Sequence, residues 1–207
     1  MMGVVGVVLA AGESRRMGRL KALLPFGQRT VIEQVLHPLL QAGLDGVTIV
    51  LGHRASEIQD ALTAWPVQLI YNPHYRDGMT RSVQTALQEI MPIPAAYLLA
   101  LVDQPHLGLT PIQQVLSAFK QTGKGLVIPS WHGKRGHPIV LAARYRQEVL
   151  ALGPDQGLNV VTRGHPDDTL EVPMMDDDIL RDIDYQEDYE AELDRWQRRS
   201  ASQQRDA

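Results

Sequence analysis

Cysteine is missing from this chain of 207 residues. Disulfide frameworks, thiolate metal sites and cysteine nucleophiles are thereby excluded, and a reducing, cytoplasmic setting fits. No apolar run approaches the ~18 residues of a membrane span. The apolar stretch from Val4 to Ala11 has no basic region before it and leads straight into polar, chemically loaded residues. It reads as a buried strand and not as a signal peptide. The formal net charge of −4 offers no basic footprint for nucleic acid. None of the seven histidines forms an i, i+4 pair with a supporting acid, so nothing suggests a zinc site. Internal repeats and low-complexity linkers are also lacking.

What is present is an alternation. GVVGVVLA, VTIVLG, VQLIYN, AAYLLALVD and GLVIPS are short apolar or β-branched runs of strand type. Between the first two, TVIEQVLHPLLQAG places Val31, Ile32, Val35, Leu36, Leu39 and Leu40 at helical spacing and stops at Gly43. SEIQDALTA, TRSVQTALQEI and TPIQQVLSAFKQTG read as further helices, the last with Thr110 as cap and Pro111 as its first helical residue. Strands joined by single helices predict right-handed crossovers and an α/β fold, a mostly parallel sheet covered on both faces.

The pattern loosens after Ser130. WHGKRGHPIVLAARY reads as a turn, a strand and a helix start, and ALGPDQGLNVVTRG as a short helix between breakers. DTLEVPM and ILRDID read as short strands, and YQEDYEAELDRWQRR as a closing helix. Met174, Met175 and the three tryptophans read as packing residues, and the run Asp176 to Asp178 as a solvated turn. Residues 1–198 form one expected domain whose last third, 131–198, feeds back into the sheet. The polar stretch 199–207 is expected to be a flexible tail.

Ligands of open parallel sheets bind at the carboxyl ends of the strands. The segment there is LAAGESRRMGRLK, residues 9 to 21, which is basic and punctuated by glycine. It fits neither of two familiar phosphate templates. Five residues separate Gly12 from Gly18 and Lys21 is followed by Ala22, against the Walker pattern; no G-x-G occurs, against the dinucleotide pattern. Physically, Gly12 can let backbone N–H groups approach a triphosphate, and Arg16 and Lys21 can offset charge on phosphoryl oxygens. A solvated basic loop is the plainer alternative.

Carboxylates at other strand ends bear on that choice. Asp103 follows the apolar run AAYLLALV and comes before a turn proline, so in a parallel sheet it faces the same crevice, either solvated at the sheet edge or holding a cation. Asp184, in RDIDYQEDYE, ends the last expected strand and is either a cation ligand or the N-cap of the closing helix. Two carboxylates opposite a triphosphate suit an octahedral Mg²⁺. In YNPHYRDGMTRSVQTAL, Asn72 ends a strand while Gly78 and Ser82 flank a helix start. That placement suits hydrogen bonds to a base or ribose, or else an ordinary connection with a cap.

The set LAAGESRRMGRLK, YNPHYRDGMTRSV, LVDQP, GKRGHPIVL, GPDQG and DIDYQEDY covers nearly the whole chain. In this order the sequence resembles the nucleotidyltransferases of molybdenum-cofactor maturation. The likeness extends to both branches, cytidylyltransferases and molybdopterin-guanine-dinucleotide synthases, and is strongest to the first. The resemblance implies a Rossmann-like three-layer fold of the nucleotide-diphospho-sugar transferase type with a small acceptor lobe. Residues 1–130 would be the nucleotide-binding half, and 131–198 the acceptor lobe and closing helix. Leu9, Ala10, Ala11, Gly12 and Ser14 would contact the nucleotide, and Arg16 and Lys21 its phosphates. Asn72, Gly78 and Ser82 would lie on the base or ribose side. Asp103 would ligate Mg²⁺, with Asp184 as second ligand, and Arg16, Lys21 and Asp103 would be the catalytic set. Arg135, Gly136, His137 and Pro138 would lie at the acceptor. The Ala10-Ala11 pair resembles the cytidylyltransferase loop, where guanylyltransferases carry Gly-Gly; the Ala11 methyl would narrow the base pocket and favour CTP over GTP.

The chain departs from the family pattern at Thr80, Arg81, Gln104 and Asn159. The implied reaction moves CMP from CTP to the terminal phosphate of molybdopterin with release of pyrophosphate. A molybdoenzyme or its chaperone would be the protein partner, with no membrane or nucleic acid involved. The alternatives are a nucleotidyltransferase acting on a sugar or polyol phosphate and a non-catalytic protein that delivers cofactor to molybdoenzymes. A flavodoxin-like regulator is disfavoured, having no use for the basic loop.

Overall fold

A computed structural model describes residues 3–205. β1 (Val4–Ala10) is buried along its length, and its side chains divide by period two. Val4, Val8 and Ala10 enter one apolar cluster; Val7, Leu9 and Ala11 enter the other. After the basic loop come a small hairpin, β2 (Pro25–Phe26) and β3 (Arg29–Thr30), and helix α1 (Val31–Gln41). Thr30 closes a capping box with Glu33, each side chain bonding the other's backbone N–H, so the helix start is fixed locally. The chain continues through β4 (Gly46–Leu51), α2 (Ala55–Ala61), β5 (Gln68–Tyr71), α3 (Met79–Glu89) and β6 (Ala96–Leu101). Next are α4 (Leu109–Thr122), β7 (Leu126–Trp131), β8 (Lys134–Arg135) and β9 (Ile139–Ala142). α5 (Arg146–Leu150), α6 (Asn159–Gly164), β10 (Thr169–Pro173) and α7 (Gln186–Arg205) complete it.

The main sheet has eight strands in the order β10-β7-β9-β6-β1-β4-β5, with β8 paired to β7. β1 runs parallel to both β4 and β6, β4 to β5, and β10 to β7. Only β9, antiparallel to β6 and β7, and the short β8 oppose this direction. The sheet is therefore mostly parallel, with an apolar cluster on each face. The segment after Trp131 threads back into it, inserting β9 between β6 and β7 and adding β10 at the edge. No described helix is long and apolar enough to cross a membrane.

Several local expectations need correction. α4 begins at Leu109 with Gly108 in the cap position, not at a Thr110 cap. Proline lacks only an N–H that first-turn residues leave unpaired anyway, so Pro111 does not mark the first residue. ILRDID is not a strand: a short 3₁₀ turn, Asp178–Leu180, leads into irregular chain. Its side chains are engaged elsewhere, and its backbone makes single bonds, Ile183 N–H to Asp103 O (2.9 Å) and His137 N–H to Ile179 O (3.2 Å). Asp178 is buried rather than solvated, taking hydrogen bonds from Arg181 and, at 2.5 and 2.9 Å, from Arg199. Met174 packs on the core, but Met175 is 94% exposed. α7 runs to Arg205, through most of the stretch expected as a tail; residues 206 and 207 lie outside the described residues.

Asp168 fastens the returning segment to the sheet. Its carboxylate accepts hydrogen bonds from Gly125 N–H (3.0 Å), Tyr145 Oη (2.5 Å) and the Arg144 guanidinium (2.8–3.0 Å). Burial alone would raise its pKa, but these bonds outweigh it and hold the carboxyl down at about 2. Asp168→Asn should destabilise by about 1 kcal/mol at neutral pH, after allowance for partial exposure. A depressed carboxyl contributes fully above its ordinary value near 3.8 and loses that contribution as pH falls toward 2. Urea melts of wild type and variant should therefore differ equally from pH 7 to about 5, and converge below.

Candidate active site

The chain passes from β1 to β4 and β5 on one side of the sheet, then crosses to β6 on the other. Strand order thus reverses between β1 and β6, and a crevice opens at their carboxyl ends. Two glycine-dependent turns shape it. Gly18 adopts φ +63 and, with Met17, donates its N–H to Ser14 O (3.1 Å each), folding the basic loop back. Gly78, before α3, has φ +101, a conformation that side chains rarely adopt. Buried Met17 and Leu20 pin the loop to the core, and Lys21 follows directly.

Lys21 is the hub. Its side chain is mostly buried, and Nζ donates to Ile183 O (2.6 Å), Asp103 Oδ2 (3.0 Å) and Asp184 Oδ1 (3.4 Å). Arg16 Nη1 reaches Asp184 Oδ2 at 2.5 Å, with its guanidinium over the Tyr185 ring. The Arg16 pair is exposed and contributes little; the buried Lys21 contacts fix the geometry. Asp184 caps nothing. Asp188, one turn into α7, accepts the N–H groups of Asp184 (3.1 Å) and Tyr185 (2.8 Å) instead.

One cavity of about 390 Å³ brings together Leu9, Ala10, Ala11, Gly12, Ser14, Arg16, Lys21, Gly78, Ser82, Asp103 and Asp184. A Cβ on Gly12 would meet no protein atom within 4 Å, so the glycine leaves room for a ligand and not for packing. Asn72 is not part of the lining. It is fully buried, donates to Ser82 Oγ (3.0 Å) and accepts from His74 N–H (2.9 Å), so it orients Ser82 from behind.

A second cavity, of about 380 Å³, contains Arg135, Gly136 and His137 and shares Leu9 and Met79 with the first. Thr80 and Asn159, two departures from the family pattern, also line it. Pro138 is buried and lines neither. Arg135 is held by Glu171 (2.8 Å) and Thr162 O (3.1 Å). Burial pushes the His137 imidazole down to about 4, against the pull of Asp103, so at neutral pH it is uncharged.

Sequence reasoning missed Asp182 and Met79. Partial loss of hydration and the neighbouring charges of Asp103 and Asp184 push the Asp182 carboxyl up to about 6, while Gln104 donates to it at 2.9 Å. The D-I-D spacing was the available signal, but in irregular chain it assigns no face. The donor chemistry fits a hard divalent cation. Asp103 and Asp184 offer carboxylate oxygens, and Asp103 Oδ1 is buried without a hydrogen-bond partner. Among the described residues no group of three or more acidic or histidine side chains is arranged around a metal position.

The profile of the MobA-like NTP transferase domain matches residues 6–169. The chain is 33% identical over 175 residues to nicotine blue oxidoreductase of Paenarthrobacter nicotinovorans, covering 79% of this chain and 83% of that protein. It is 27% identical over 143 residues to molybdenum cofactor cytidylyltransferase of Escherichia coli K12, covering 69% and 71%. The solved structure of a nucleotidyl transferase from Methanothermobacter thermautotroptrophicus superposes with a TM-score of 0.81 at 25% identity, covering 95% and 98%. The fold is that of the nucleotidyltransferases of the nucleotide-diphospho-sugar transferase type. The chain belongs to the MobA-like NTP transferase family.

Gly136 packs its backbone directly on the segment before α7, since a Cβ there would lie 2.1 Å from Ile179 O. Gly136→Ala should cost about 1–3 kcal/mol by forcing the backbones apart. Thermal melts should show the loss, and a variant as stable as wild type would contradict this packing.

Proposed function

We propose that this protein is a Mg²⁺-dependent nucleotidyltransferase that transfers CMP from CTP to the terminal phosphate of molybdopterin, releasing pyrophosphate. The observation that carries this reading is the convergence of Lys21, Arg16, Asp103 and Asp184 on one cavity walled by the Gly12 loop. A bound Mg²⁺ on Asp103 and Asp184 would supply charge screening at the α-phosphate. The Gly12 backbone admits the triphosphate closely, and Lys21 and Arg16 carry the charge that the leaving pyrophosphate develops. The acceptor phosphate is already deprotonated at neutral pH, so no general base is required. Uncharged His137 contributes hydrogen bonding, not charge, to the acceptor cavity. The buried methyl of Ala11 on the cavity wall supports a pyrimidine over a purine.

Asp103→Ala should keep the fold and abolish pyrophosphate release from CTP and Mg²⁺, whereas Lys21→Ala should raise the KM for the triphosphate. Near-normal turnover in the first variant would remove Asp103 from the metal site. Gly12→Ala should leave the melting temperature within about 1 °C, because the new methyl touches no protein atom. It should also abolish the thermal shift given by the cognate nucleotide. A panel of CTP, GTP, ATP and UTP with Mg²⁺ identifies that nucleotide.

The 33% identity to nicotine blue oxidoreductase supports a second reading, reduction of a flat aromatic substrate in the apolar cavity of Leu9, Val83, Leu99 and Ile128. The two part on chemistry. Pyrophosphate release with CTP and molybdopterin supports the transferase. Consumption of a reduced nicotinamide with nicotine blue, without any nucleotide response, supports the reductase.

A further inference from the structure

We infer that Lys21 and the divalent cation compete for the same carboxylates, so that metal and nucleotide load onto this site together. The inference rests on the nucleotidyltransferase reading and specifies how its site is regulated.

An ammonium has three N–H donors and no more. In this structure Lys21 directs all three at protein oxygens: Ile183 O, Asp103 Oδ2 and Asp184 Oδ1. None remains for a phosphate. Two of the three acceptors are the carboxylates that would ligate the metal, and all three are hard oxygen donors of the kind Mg²⁺ takes. The side chain is almost wholly buried, so these contacts are poorly replaced by water.

Lys21 therefore has two exclusive arrangements. Turned toward Asp103 and Asp184, it neutralises them and blocks a cation. Turned toward a triphosphate, it leaves Asp103 without a counter-ion and Asp184 with only the exposed Arg16, which is costly unless a cation replaces it. Metal binding likewise releases the lysine for the phosphates. Linkage makes this reciprocal: nucleotide tightens metal by the factor by which metal tightens nucleotide.

The test uses Mn²⁺ alone as probe, with free Mn²⁺ read from its EPR signal, on wild type and Lys21→Met. Removing the competing ammonium should tighten Mn²⁺ binding by at least about tenfold, because Asp103 is left uncompensated and Asp184 keeps only the exposed Arg16. Adding α,β-methylene-CTP should bring wild type toward the variant's affinity while changing the variant little. Independently, acetylation of wild-type Lys21, mapped by mass spectrometry, should be slow without Mn²⁺ and faster at saturating Mn²⁺.

Equal or weaker Mn²⁺ binding by a folded Lys21→Met protein overturns the inference. So does saturation by Mn²⁺ that leaves Lys21 labelling unchanged, which would place the cation on the free Asp103 Oδ1 beside an undisturbed lysine. If the variant does not fold, the wild-type labelling decides. Neither Mn²⁺ experiment needs nucleotide or turnover. Absence of nucleotide binding would count against the transferase reading alone, and the competition would be judged separately.

Discussion

Everything at the candidate site depends on one buried ammonium. Lys21 comes from the loop after β1, Asp103 from the end of β6, and Ile183 and Asp184 from the segment before α7. These pieces lie 82 and more than 160 residues apart in sequence, and they meet because a single cation satisfies oxygens from all three. Because the Lys21 side chain is mostly buried, losing its carboxylate partners would leave a poorly solvated charge, so the geometry is held tightly.

The segment carrying Ile183 and Asp184 needs support from behind, since it belongs to no strand or helix. Arg181 provides it, bonding Asp177 and Asp178 on its own turn and Glu192 Oε1 on α7 at 2.8 Å. Glu192 also takes Arg195 at 2.8 Å and faces the buried His106, whose imidazole pKa burial pushes down. From the front, Gln104 bonds Ile179 O and Asp182, and Gly136 lets β8's exit pack directly on Ile179. Side-chain bonds thus do here what a β-ladder does elsewhere in the fold, and the site inherits its shape from α7.

The two cavities differ in chemistry while sharing a wall. The first is lined by Arg16, Lys21, Asp103 and Asp184; the second is mostly apolar with Arg135, Arg163 and His137 among its lining residues. Met79 touches both, placed there by the glycine-only turn of Gly78. A charged compartment thus adjoins a mostly apolar one.

Much of this was legible from local pattern. The buried strand β1 and the apolar face of α1 involve neighbours within a few residues, where spacing alone carries the physics. The strand-end positions of Gly12 and Asp103 followed from a parallel sheet, because every such strand presents its carboxyl end on the same side. Other features were out of reach. Thr110 looked like a cap because proline's tolerance across the first turn does not distinguish its positions. Asp178 looked solvated because nothing nearby announces Arg199, twenty-one residues away on α7. That Asn72 stands behind the cavity and that Gln104 donates to Asp182 were hidden for the same reason. The sequence by itself determined which residues bear charge, where the chain turns and which faces are apolar, since those are properties of short stretches. Only the tertiary structure decided that Lys21 binds Asp103 and Asp184 at once, because that choice depends on burial, and burial is set by the whole chain together.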